Sequence, residues 1–77
     1  LSQLLGKHLK IFRQTLSGKD TIIFDRRMIA EDPLTLQTLG DEFGVSRERV
    51  RQLEARLAGR LREYLKEQMG DAVELGG

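Results

Sequence analysis

The sequence predicts an all-α domain of four helices and no strand. Three observations carry this reading. Apolar residues recur at helical spacing, a single proline interrupts 77 residues, and the breaks fall at glycines and capping residues. The first segment, 1–16, places Leu1, Leu4, Leu5, His8, Leu9, Phe12 and Leu16 on one stripe, with Lys7, Lys10 and Arg13 off it. His8 has no second ligand or nucleophile nearby in the sequence, so packing is its expected role.

Ser17-Gly18-Lys19-Asp20 offers a break and a restart, with Ser17 and Asp20 spaced as a capping pair. The next helix is expected over about 18–30, turning Ile22, Ile23, Met28 and Ile29 toward the other helices. Glu31-Asp32-Pro33-Leu34 reads as a loop, because Pro33 removes a donor and pushes Asp32 out of helical geometry. A short helix follows over about 36–43, with Thr35 as N-cap and Gly44 at the C-terminal position that favours positive φ. Ser46 then caps a last helix running to about Gln68, with Glu48 at the positive end of its dipole and Gly70 as its stop. The chain divides into an N-terminal helix (1–16), a core domain (17–69) and a flexible tail (70–77).

Size and composition bound the function. A chain of this length buries roughly 60% of its unfolded surface, which allows one small core. Charged residues make up 32% of the sequence and the net charge is +1. Without cysteine there is no disulfide framework or thiolate metal site, and one histidine excludes a His-rich one. No apolar run approaches the ~20 residues needed to span a bilayer. The start Leu1-Ser2-Gln3 lacks signal-peptide architecture and an initiator Met, as expected of a fragment of a longer chain. No Gly-rich phosphate loop or paired carboxylates suggest an enzyme, and no cofactor is expected.

The charge is unevenly spread. Residues 1–45 are neutral, residues 46–62 carry +4 from six arginines and two glutamates, and residues 63–77 carry −3. Such a local arginine excess suits a polyanion, and equally a solvated face of ion pairs.

The last two helices are joined only by Gly44-Val45-Ser46. Leu39, Phe43, Val45, Val50 and Leu53 can fill the inside of that corner, and Gly40 is small where the helices approach. These offsets predict a C-terminal helix-turn-helix, against the alternative of a helical hairpin from an unrelated bundle. At about 100° per residue, Val50, Leu53, Leu57, Leu61 and Tyr64 share the inward stripe of the last helix. Glu48, Arg51, Gln52 and Ala55 fall opposite, and Arg47 flanks them in the first turn. Arg, Glu and Gln suit base edges in a major groove, so Arg47, Glu48, Arg51 and Gln52 are the candidate base readers. Arg49, Arg51 and Arg56, with backbone N–H groups near Thr35, are candidates for phosphate contacts. Arg60 and Arg62 lie farther along, where Glu63, Glu67 or a protein partner could pair with them.

The run Leu34-Thr35-Leu36-Gln37-Thr38-Leu39-Gly40, followed by Phe43-Gly44-Val45-Ser46-Arg47-Glu48-Arg49-Val50-Arg51-Gln52-Leu53-Glu54-Ala55-Arg56, resembles region 4 of bacterial RNA polymerase sigma factors of the sigma-70 family. The resemblance covers about residues 16–65, and Ile22-Ile23-Phe24-Asp25-Arg26-Arg27 looks like the heat-shock branch. It implies recognition of the −35 promoter element, with Arg47, Glu48 and Gln52 on bases and Arg51 also touching the DNA. It further implies attachment to core polymerase through the flap-tip helix of the β subunit, in the bacterial cytoplasm at the nucleoid. Ile22, Ile23, Leu36, Leu39 and Leu57 are the apolar candidates for that docking groove. In many relatives basic pairs follow the recognition helix, whereas Ala58-Gly59 stands there in this chain. A protein-interaction module for the β flap or an anti-sigma factor is the alternative from a different class. Another helix-turn-helix regulator would self-associate on a palindrome, and nothing after Gln68 resembles a dimerisation element, so a monomer is expected.

Overall fold

The computed structural model describes residues 2–69, and among these it contains four helices and no strand. Helix α1 spans Ser2–Gln14, α2 begins as Lys19–Ile23 and continues through a π-helical turn at Phe24–Met28, α3 spans Leu36–Phe43, and α4 spans Arg47–Met69. Leu1 and the tail from Gly70, with its proposed helix stop, lie outside the described residues.

Each helix gives its apolar stripe to one core. Phe12 of α1, Ile23 and Phe24 of α2, Leu39 of α3, and Val50 and Leu57 of α4 are all buried. Leu9, Leu16, Phe43, Val45, Leu53, Leu61 and Tyr64 pack around them. The Phe12 ring lies 5.7 Å from Phe24 and 5.5 Å from Tyr64, joining α1 to α2 and to the far half of α4. His8 meets the Tyr64 ring edge-on at 6.3 Å, the packing role expected for it.

The helix ends show which local signals hold. Helix α1 closes with Thr15 and Leu16 N–H groups donating to the Phe12 and Arg13 carbonyls. The expected Ser17 cap does not form. Gly18 occupies the N-cap at φ 60°, ψ −134°, with no side-chain cap, and only glycine enters that region readily. The Asp20 carboxylate instead accepts from Arg60 Nη1 at 3.1 Å. The second helix also differs from expectation near its end. Ile29 N–H reaches back five residues to the Phe24 carbonyl, and regular helix stops short of Ala30.

The corner follows its local chemistry. Thr35 Oγ1 accepts from Thr38 N–H at 3.0 Å, Gly44 closes α3 at φ 73°, and Ser46 Oγ accepts from Arg49 N–H at 3.1 Å. Val45 N–H donates to the Gly40 carbonyl at 2.9 Å. A Cβ on Gly40 would stand 2.7 Å from the Val45 carbonyl oxygen. That obstacle is backbone and cannot rotate away, so the clash outweighs the helix propensity alanine brings. Gly40→Ala is expected to destabilise by about 1–2 kcal/mol in urea unfolding. A gain in stability would mean that the corner can widen freely.

Candidate nucleic-acid interface

Helix α4 is the element from which the site is built. Its inward stripe buries Val50 and Leu57 and half-buries Leu53, Leu61 and Tyr64, so the opposite face must point to solvent. Arg47, Glu48, Arg51 and Gln52 are all exposed there, at the end nearest the corner. Arg49 and Arg56 are exposed on the flanks. Arg47, Glu48 and Arg51 also border an open cleft of ≈ 560 Å³ whose other wall is Thr35, Leu36 and Gln37 at the start of α3. Gln52 is exposed on α4 but does not border that cleft.

Two charges of the outer face are already engaged with one another. Arg51 Nε donates to Glu48 Oε1 at 3.0 Å and Arg51 Nη2 donates to Oε2 at 2.6 Å. The hydrogen bond from Arg51 holds the Glu48 carboxyl below its usual pKa, helped by the positive charges of Arg51 and Arg47 and a hydrogen bond from Gln52. The same contact raises the Arg51 pKa. Glu48 is therefore a carboxylate that can only accept. Arg47, Arg49 and Arg56 carry no salt bridge among the described residues.

Beneath this face lies a contact that sequence reasoning missed. Arg27 donates from Nε and Nη2 to the two Glu54 oxygens at 3.0 and 3.1 Å, and from Nη1 to the Leu34 carbonyl at 2.7 Å. One guanidinium thus ties the second helix, the loop before α3 and helix α4 together. Its partners are seven and 27 residues away, beyond the reach of any local pattern. Gln37, on the cleft wall, was missed as well.

Arg60 pairs with Asp20 and not with its helical neighbours Glu63 or Glu67, because α4 packs against α2 along that side. The apolar docking candidates separate into two groups. Ile23 and Leu39 are 0% exposed and Leu57 is 1% exposed, so they fill the interior and cannot line a surface groove. Ile22 is 40% exposed and borders a second cleft with Thr21, Arg26, Glu42 and Phe43. Leu36 is half-buried on the wall of the first. Among the described residues no cluster of acids and histidine could hold a metal ion, and no helix is long and apolar enough to cross a membrane.

A short capped helix, an αL glycine corner and a longer helix with an exposed polar start define a helix-turn-helix domain. The sequence model for sigma-70, region 4, matches residues 14–63, and the chain belongs to that family. It is 42% identical over 58 residues to the RNA polymerase sigma factor RpoH of Rhizobium radiobacter, covering 75% of this chain and 19% of that protein. Against the RNA polymerase sigma-B factor of Myxococcus xanthus it is 35% identical over 68 residues, covering 88% of this chain and 28% of that one. The RpoH of Caulobacter vibrioides is 40% identical over 52 residues, 68% of this chain and 18% of its own length. The chain thus spans well under a third of the relatives it matches. All three relatives are RNA polymerase sigma factors. No solved structure matches the chain.

Proposed function

We propose that this domain recognises the −35 promoter element in the major groove while its parent sigma factor is attached to core RNA polymerase. The observation that carries the reading is the outward polar start of α4, braced from behind by Val50, Leu53 and Leu57. In this reading Arg47, Glu48 and Gln52 meet base edges, with Arg51 on the same face. Arg49 and Arg56 meet phosphates, joined by the N–H groups at the start of α3. Thr35 contributes indirectly: its hydroxyl already caps Thr38, which fixes those donors.

The test is selection of duplexes from a random pool by the domain fused to core polymerase. Glu48→Ala should then lose roughly five- to hundredfold in discrimination at one base pair, while binding to random duplex stays unchanged. With Arg49 and Arg56 neutralising about two phosphates, log K should fall against log salt with a slope near −2. Equal losses on selected and random duplexes would remove the reading role.

Docking on polymerase is the second part of the proposal. The exposed Ile22 beside Phe43, whose ring is covered by Lys19 Nζ at 5.9 Å, offers an apolar floor with a charged rim. A peptide of the β flap-tip helix should bind the domain, and Ile22→Glu should abolish that binding. An anti-sigma factor would compete for the same cleft.

A further inference from the structure

We infer that Arg51 acts on DNA through Glu48: its guanidinium holds the Glu48 carboxylate in the orientation that meets a base edge, which makes Arg51 a positioning residue for specificity. The inference rests on the base-reading role proposed above for Glu48.

Consider first what the contact can be for. The Glu48 and Arg51 side chains are 58% and 56% exposed, and an ion pair so open to water adds little to stability. Its geometry is nevertheless specific, with both carboxylate oxygens engaged by one planar fork. A free glutamate on a helix surface samples many rotamers and must give them up when it docks on a base. Here one acceptor site on each oxygen is occupied by the fork. The other site on each oxygen is left for an amino group on a base edge.

Charge leads to the same assignment. Duplex DNA carries one negative charge per ~1.7 Å of axis, so a lone carboxylate entering the groove is repelled. Paired with Arg51, Glu48 enters as a neutral unit. Arg47 and Gln52 flank the same carboxylate and reinforce its ionised form. Two of the five Arg51 N–H donors and its positive charge are spent on Glu48, whereas Arg49 and Arg56 carry no salt bridge among the described residues and bring their full charge to a phosphate. The division of labour is then clear: Arg49 and Arg56 supply affinity, and Arg51 supplies the posture of Glu48.

A double-mutant cycle on the 77-residue chain tests this, using a duplex enriched from the random pool and a scrambled control. The variants are Glu48→Ala, Arg51→Ala, both together, and Arg51→Lys, each checked for helix content by circular dichroism. Arg51→Ala should lose preference at the same base pair as Glu48→Ala. The double variant should bind within about twofold of the weaker single one. Its salt slope should match that of the parent. Arg51→Lys should restore only part of the preference, because an ammonium cannot fork both oxygens. Losses that multiply independently, with a salt slope shallower by about 1, would overturn the inference and make Arg51 a phosphate ligand, leaving base reading intact. Full preference retained by Glu48→Ala would remove the underlying reading, and the role of Arg51 with it.

Discussion

Replacing Phe24 by alanine should cost about 3–5 kcal/mol of folding stability, against a total on the order of 4–12 kcal/mol for a domain of this size. Phe24 is 1% exposed and is the largest fully buried side chain. It sits where α1 and the second helix meet, with Phe12 at 5.7 Å. Truncation would open a cavity that a small core cannot refill. The measurement is urea unfolding, with a midpoint well below that of the parent and an unchanged slope. Ile29→Ala is the matched control: Ile29 is 48% exposed, and its truncation should change stability by no more than about 0.5 kcal/mol. Similar effects from the two substitutions would mean that α1 does not pack on this core.

Arg27→Ala should cost about 2–3 kcal/mol, an unusually large effect for an arginine. Its side chain and that of Glu54 are each only 23% exposed, so removing the guanidinium strands a carboxylate that water reaches poorly. The Leu34 carbonyl loses its donor at the same time. Arg27→Lys should recover little, because one ammonium cannot reach both Glu54 oxygens and the carbonyl. Pairing Arg27→Met with Glu54→Leu should restore most of the loss, since apolar side chains of similar size need no partner. If the double variant were as unstable as Arg27→Ala alone, the cost would lie in packing and not in the stranded charge.

Much of the corner was legible in the residues themselves. Thr35, Gly44 and Ser46 behave as their types predict, because a cap or an αL turn is decided within a few residues of chain. The outward face of α4 was legible for a related reason: once Val50 and Leu57 are inside, helical period places Glu48, Arg51 and Gln52 outside. Ser17 misled because a glycine in the next position turned the backbone before its hydroxyl could cap. Nothing in the composition of Phe24–Met28 announces a π-helical turn, which shows only in the five-residue reach of the Ile29 N–H to the Phe24 carbonyl.

The amino-acid order alone determined the helices, the corner between α3 and α4, and which polar residues share a face, since all of these depend on neighbours within about two helical turns. Only the tertiary structure decided that Arg27 clasps Glu54, that Arg60 reaches Asp20, and that Ile23, Leu39 and Leu57 are interior while Ile22 stays open. Those outcomes depend on the angles at which helices cross. Crossing angles are set by how whole surfaces of side chains interlock, and no short stretch of sequence carries that information.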